Sequence, residues 1–549
     1  MNQQRSVRAT SPGRLTYLAL AVTLVSPVLC AAEEGGAFDS FKVDGYLREE
    51  VSVNTKNWAD TPNYNDRGKV SMARTTLRLN ADWKATDTLS IVAKWRGSQE
   101  LKTPFLKHLE QMGASNYTSG GAGTQADIMD LYNKSDFREL YVDWQATDRV
   151  KFRFGRQQIV WGETDFFNAN DMVHGFNLTW RSFLEPANEE LRKPLIILKT
   201  NIDLPEANGA IEAFVRPGWD RKKDIGTELD IYGGRWSSQP YAGVDFRNID
   251  PYNLDNKEGD YKKVTGGIRW NGTTDHFNYS LSYLKTFWQN PILNPSSTDF
   301  AGGAFYVPTT QGASNIKPQQ GAIFGEIIYP LVDVFGATAS GYADWADAVF
   351  STEVAYIKDA PYQFNNFPNN SLASTVVAPG FDGFKKKNVI AWMLRMDKNI
   401  AATQSLLGSE KPMFFSVQLF DKWIQDFNEN EGLLNSVGWG ARTKEHSFLL
   451  TGIFSLSYNN GRIKPELVVG TDLTYKGGFF APSVTMELSK SLKWKIEYDG
   501  FWDGGRWRDT GPGSRCASPG ANQSNCDSAG LFGYFHNRDQ LYTSLTYQF

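Results

Sequence analysis

The sequence predicts an all-β chain, a transmembrane antiparallel β-barrel of about 18 strands (16–20) with short turns on one side and long loops on the other. Three observations predict it. Apolar and polar residues alternate with a period of two along nearly the whole chain. The connections between alternating segments are by turns short and long. An export segment precedes the first alternating stretch.

The export segment comes first. Arg5, Arg8 and Arg14 precede the apolar run "LTYLALAVTLVSPVL" (15–29), and "CAA" (30–32) ends in small residues. This reads as a signal peptide over 1–32, cleaved after Ala32 with Ala31 as the neighbouring option, and leaves 33–549 as the barrel. Lipidation at Cys30 is disfavoured because Leu29 is too bulky for the preceding position. Of 57 basic residues three leave with the peptide, so 54 face 61 acidic ones and the mature net charge is −7. No basic excess points to nucleic acid as a partner. After residue 32 no run of 18 apolar residues occurs, which excludes a transmembrane helix. Aromatic residues make up 14% of the chain, a content suited to membrane interfaces.

The alternating segments set one residue type on each face of a strand. "TTLRLNADW" places Thr75, Leu77, Leu79, Ala81 and Trp83 opposite Thr76, Arg78, Asn80 and Asp82. "LSIVAKWRG", "ELYVDW", "WMLRMD" and "SLKWKIEYDG" follow the same rule. Eighteen strands are expected to begin near residues 43, 69, 88, 136, 149, 194, 209, 263, 276, 332, 347, 387, 412, 444, 462, 476, 491 and 538. The least regular stretch, 218–262, holds "LDIYGGRW" and "YAGVDF", either a further hairpin or a folded loop. Trp83, Trp144 and Trp494 adjoin short turns, where an interfacial girdle belongs.

The chain ends in "LYTSLTYQF". An apolar face of Leu541, Thr543, Leu545, Tyr547 and Phe549 on an exposed edge would invite aggregation. As a closing strand the same face meets lipid. Tyr547 and Phe549 are then the assembly signal read by a barrel assembly machinery in the cell outer membrane of a Gram-negative cell. Outer-membrane lipid is the other expected partner.

The polar faces carry Arg74, Arg78, Lys94, Arg96, Lys151 and Arg153, interspersed with Asp82, Glu139, Asp143, Asp397, Glu497 and Asp499. In a lumen such charges set solute selectivity. Because the signs are mixed, pairing along the wall is the favoured reading. On that reading Leu79→Arg costs about 2–4 kcal/mol and Arg78→Leu less.

The most distinctive stretch is "FGRQQIVWGETDFFNANDMV" (154–173), in which alternation breaks between Gly155 and Gly162. It opens the third long loop, and Glu163, Asp165, Phe166, Phe167 and Asp171 are candidates for a lumen constriction. The bland alternative is a surface loop. "GRQQIVWGETD" followed by "NDMV" resembles a Gram-negative family of large outer-membrane proteins known as a domain of unknown function. The resemblance implies a 16–20-stranded barrel that moves lipids or hydrophobic compounds, with a periplasmic lipoprotein-like protein or a resistance–nodulation–division exporter as partner. Where that family is expected to continue with Asn-Pro, this chain has "HGFN" (174–177), so the tight proline turn is absent.

The leading function is therefore a channel or conduit for a hydrophobic or amphipathic small molecule or lipid. The alternatives are a porin for polar or charged solutes and a structural or adhesive barrel. No enzyme is expected: the five histidines have no nucleophile in reach, and no metal-ligand spacing or cofactor fingerprint occurs. Cys516 and Cys526, ten positions apart around Pro519 and Gly520, are expected to form a disulfide in the last long loop.

Overall fold

The computed structural model describes residues 40–57, 65–117, 128–164, 167, 169–179, 181, 184–185, 188–228, 235–236, 260–293, 327–363, 384–433, 443–504, 532, 535 and 537–549. The signal peptide, Asp165, Phe166, Cys516 and Cys526 lie outside the described residues, as do both halves of the candidate hairpin in 218–262, Arg235 and Trp236 excepted.

Among the described residues twenty strands follow one another: β1 (Phe41–Asn54), β2 (Val70–Lys84), β3 (Leu89–Glu100), β4 (Lys134–Thr147), β5 (Val150–Gln157), β6 (Leu195–Leu204), β7 (Gly209–Arg216), β8 (Thr265–Thr273), β9 (Asn278–Phe287), β10 (Ile292–Leu293), β11 (Ile327–Ile328), β12 (Leu331–Ala343), β13 (Ala348–Gln363), β14 (Phe384–Ile400), β15 (Met413–Ile424), β16 (Leu449–Ser455), β17 (Ile463–Asp472), β18 (Gly478–Glu487), β19 (Leu492–Trp502) and β20 (Gln540–Gln548). β10 and β11 form a separate ribbon, and the other eighteen form one antiparallel sheet of sequence neighbours. β20 pairs with β19 and with β1, which closes the barrel. Gly45 and Phe549 exchange both backbone hydrogen bonds, at 3.1 and 3.2 Å, so the last residue is part of that seam. Closure removes the free sheet edge that the apolar terminal strand would otherwise present.

The expected strand starts match the observed ones closely. The largest displacement is at β16, expected near 444 and found at Leu449. Residues 443–448 form an irregular lead-in there, because His446 turns its ring nitrogen to Asp421, 2.7 Å away, and stacks between Trp423 and Phe448. The short–long alternation has two exceptions: β14 and β15 are joined on the short-turn side by 401–412, which holds the helix Ala402–Leu407. β17 and β18 are joined on the long-loop side by 473–477, where the Asp472 carboxylate accepts the N–H groups of Thr474 and Tyr475.

The outward face is a continuous apolar belt that includes Trp83, Trp144, Leu281, Val354, Leu394 and Leu545, all exposed. The inward face divides by height. Toward the short turns it carries Ser280, Thr338, Ser351, Ser416 and Gln418. Toward the long loops, from β6 round to β15, it carries Ile197, Phe214, Leu284, Val334, Ile357, Val389 and Phe420, which join one buried apolar cluster. No helix among the described residues is long and apolar enough to cross a membrane.

A charge on the belt should cost most at mid-height. Leu394→Arg, mid-strand on β14, is expected to destabilise the folded barrel by about 2–4 kcal/mol, and Leu488→Arg, in the turn after β18, by about 0–1 kcal/mol. Denaturant titration in lipid checks this; equal costs would contradict the outward facing of β14.

Candidate functional site: a loop folded into the lumen

The described residues between β5 and β6 (158–194) run through the barrel rather than over its rim. Their side chains and backbone bond to strands all around the wall. At the start of this loop, the Trp161 indole donates to Glu212 on β7. The Glu353 carboxylate on β13 accepts the backbone N–H groups of Glu163 and of Asn170, the latter at 3.0 Å. The Arg395 guanidinium on β14 donates to the Glu163 carbonyl at 3.0 Å. Gly162 is required at this crossing: a Cβ there would lie 2.9 Å from that of Asp171 and 3.1 Å from the Glu353 carboxylate. Phe167 packs edge-on against Phe420 of β15 and Phe532, both at 6.1 Å between ring centroids. Asp171 pairs with Arg192 of the same loop at 2.5 Å.

The "HGFN" departure has a structural consequence. The buried His174 accepts the Ile159 N–H at Nε2 (2.8 Å), and its Nδ1 lies 2.9 Å from the Lys193 carbonyl, so the imidazole ties the two legs of the loop together. Gly175 then meets the loop after β7 at Gly226, where a Cβ would come within 2.0 Å of the Gly226 backbone. Phe176 and Leu178 exchange backbone hydrogen bonds with Glu228.

Two ionic anchors fix the far end of the loop. Arg181 reaches β19, 2.6 Å from Glu497 and 3.1 Å from Asp499, with its guanidinium over the Tyr542 ring of β20. Glu190 reaches β1, β2 and β3. One carboxylate oxygen receives Arg78 and the Tyr46 hydroxyl (3.0 Å), and the other receives Arg96 at 2.7 Å. Arg138 of β4 donates to the backbone carbonyls of Glu189 and Arg192.

The predicted lumen cations fall into two groups. Arg74 pairs with Glu100 at 2.6 Å, Lys94 with Glu139 at 2.9 Å, and Arg153 and Lys151 with Asp143 at 2.6 and 2.9 Å. Arg74–Glu100, Lys94–Glu139 and Arg153–Asp143 are direct cross-strand partners, as a wall network requires. Arg78 and Arg96 are also direct cross-strand partners, but of like charge. Their shared carboxylate comes from the loop. Arg78 therefore faces a partner rather than open water, and Arg78→Leu would remove one of the donors held by the buried Glu190 carboxylate. Glu163 lies against β14 and 3.9 Å from Arg269, Phe167 lies in the aromatic packing, and Asp171 lies in the clamp with Arg192.

Glu190, Arg181, His174, Glu353 and Tyr46 escaped the sequence reading. The register that sets residue 78 opposite residue 96 centres the hairpin on residue 87, and a turn read one position earlier would have set Trp95 there instead.

The electrostatics follow from this packing. Burial pushes the Glu190 carboxyl up, but Arg96 and Arg78 outweigh it and hold the group at about 2. Burial, aided by Arg192, lowers His174 to about 3. Burial likewise lowers Lys193 to about 8.

Removing the Glu190 carboxylate takes away the anion that Arg78 and Arg96 share. Glu190→Ala is expected to weaken docking of the loop by about 3–5 kcal/mol, read as protease sensitivity of 158–194 in an intact barrel. Acid should act in the same direction. A histidine held neutral when docked takes up a proton when released, so docking weakens as pH falls below about 6.5, by roughly 1.4 kcal/mol per unit until about pH 3. Glu190 adds its own loss below about pH 4. A pH series of proteolysis checks this; a flat response between pH 7.5 and 5 would contradict the role of His174.

Among solved structures, the chain is similar to Acinetobacter baumannii OccAB3 (8% identity, 93% of this chain and 99% of that chain, TM-score 0.44). It is similar also to Salmonella typhi OmpF in complex with daunomycin (9%, 93% and 97%, TM-score 0.37). A Rhodopseudomonas blastica porin triple mutant is a third such structure (9%, 93% and 100%, TM-score 0.34). At these identities and TM-scores the barrel rests on its own closed ladder. No curated protein matches the chain. Residues 38–549 match the family described as "Protein of unknown function (DUF1302)", and the chain belongs to that family.

Proposed function

We propose that this barrel is an outer-membrane channel for a hydrophobic or amphipathic small molecule, closed at rest by the 158–194 loop. The observation that carries this reading is the lumen itself. Its loop-side half is walled by Ile197, Phe214, Val334, Ile357, Val389 and Phe420, and the loop lays Ile159, Trp161, Met172 and Val173 against them. A pore for ions and sugars needs a wet wall at that height, whereas an apolar wall suits apolar cargo. A shift of the loop would exchange its own apolar side chains for those of the cargo. The candidates Glu163, Phe167 and Asp171 act here as parts of the closure. Arg74, Lys94, Lys151 and Arg153 act as wall.

A porin for polar solutes is the second reading. The turn-side half favours it, lined as it is by Ser280, Thr338, Ser351, Gln418 and Thr451. In the membrane, the terminal Phe549 serves as the mark for barrel assembly, and a periplasmic partner exchanges cargo at the short-turn face.

Planar-bilayer recordings and uptake of an apolar dye separate the readings. The intact barrel is expected to conduct poorly, and replacement of 166–171 by a Gly-Ser stretch to raise conductance and dye uptake. A wide, salt-proportional conductance in the intact protein would establish the porin instead.

A further inference from the structure

On the side of the long loops, one sector of the outward face ends in a row of aromatic residues capped by lysines. The ladder sets Tyr283 of β9 opposite Phe335 of β12, Phe335 opposite Tyr356 of β13, Tyr356 opposite Ile390 of β14 and Ile390 opposite Trp423 of β15. The Phe335 ring lies 5.1 Å from Tyr283 and 6.4 Å from Tyr356 between centroids, and Tyr283, Phe335 and Trp423 are exposed. An outward aromatic row of this kind marks the height at which hydrocarbon gives way to headgroups. Two residues further toward the loops, on the same faces, stand Lys285 and Lys358, one on each side of Asp333. Lys386 shares the outward face of Ile390 and stands opposite Pro361. All three lysines are exposed.

The acids of this sector leave the lysines only partly balanced. Asp333 accepts the Tyr283 hydroxyl at 2.7 Å and lies 3.9 Å from Lys285. Glu431 is taken by Lys385 and Lys387, at 3.5 and 2.6 Å. Asp359 sits in the β13 bulge with a φ of 60°. Among the described residues, Lys358 and Lys386 form no ion pair. An ammonium at this height has hydrocarbon below it and extends into the headgroup layer. There the compact charge of lysine suits phosphate. Lys285 and Lys358 are two strands apart, hence about 10 Å, and Lys386 is on the next strand. That spread is wider than one phosphodiester and fits a headgroup with two separated phosphates.

We propose that Lys285, Lys358 and Lys386 form a docking surface for a bis-phosphorylated glycolipid of the leaflet on the long-loop side. Its phosphates meet the lysine row, and its acyl chains run down over Tyr283, Phe335 and Tyr356 onto the apolar belt. Charge and height together select the partner: a soluble phosphate lacks the chains, and a neutral lipid lacks the phosphates. The surface lies outside the barrel, so it stands apart from what the lumen carries.

The test uses the full barrel in a non-ionic detergent, titrated calorimetrically with diphosphoryl lipid A, monophosphoryl lipid A and phosphatidylglycerol. The unaltered protein is expected to bind diphosphoryl lipid A at least tenfold more tightly than either other lipid. Lys358→Gln combined with Lys386→Gln is expected to lose at least tenfold of that affinity. Arg67→Gln combined with Lys69→Gln removes two exposed cations from the loop after β1 and is expected to change it less than twofold. Equal binding of the three lipids, an unchanged affinity in the Lys358/Lys386 variant, or an equal loss in the Arg67/Lys69 variant overturns the proposal. If the Lys358/Lys386 variant does not assemble, as judged by heat-modifiable gel mobility, the unaltered protein decides. Its preference for diphosphoryl lipid A must then shrink as salt is raised, since exposed charges are screened, and a preference indifferent to salt overturns the proposal.

Discussion

Arg78 and Arg96, set opposite each other on β2 and β3, share one carboxylate that the 158–194 loop supplies, and the path of that loop through the barrel interior is arranged around it. Arg78 and Arg96 are cross-strand partners, so their backbone positions are set by the ladder, and Arg96 faces Asp136 on β4 on its other side. Glu190 resolves the repulsion by taking one guanidinium on each oxygen. To place that side chain, thirty-odd residues between β5 and β6 must run down into the lumen and back. A buried ion triad contributes little net stability on its own, because desolvation offsets the attraction. Its effect is specificity: it holds one path for the loop and penalises any other.

The opposite anchor has the reverse polarity. The loop supplies the cation, Arg181, and β19 supplies Glu497 and Asp499. The two anchors flank the β1–β20 closure, so the loop spans the seam between those two strands. On the far side the contact is apolar and hydrogen-bonded to backbone, with Glu353 gripping two N–H groups and Trp161 packed on Phe214. The loop is therefore held by three kinds of contact that respond differently to conditions. Acid weakens the first through Glu190 and His174, salt screens exposed charges but hardly these buried ones, and an apolar solute competes only with the third.

Such a loop is the natural low-stability element of a barrel. The strands are locked into a closed ladder in which breaking one pair exposes backbone to hydrocarbon. The loop has water and side chains as alternatives for every bond it makes. Local opening of the lumen is thus available at a small fraction of the cost of opening the wall. The height division of the wall adds direction: the turn-side half is polar and the loop-side half apolar, so solute entering from either end meets a different solvent.

Much of this was legible in the sequence. Period-two alternation on "TTLRLNADW" or "SLKWKIEYDG" fixes which residues share a face, because a strand has no other way to orient them. The closing role of "LYTSLTYQF" follows from the hazard of leaving that face exposed. Two acidic partners of the wall cations, Glu139 and Asp143, lie where adjacent strands of mixed charge put them. The path of 158–194 was not legible. Glu190 and Arg78 are more than a hundred residues apart, and Arg181 and Glu497 more than three hundred, and no local periodicity relates them. His174 looked like a loop residue in place of a turn-forming proline; only the fold shows it as the tie between two legs. A strand's facing is a property of neighbouring residues, which the sequence carries. Which residues of 158–194 meet which strands depends on groups far apart in sequence that the closed ladder brings together, and that is decided by the tertiary structure.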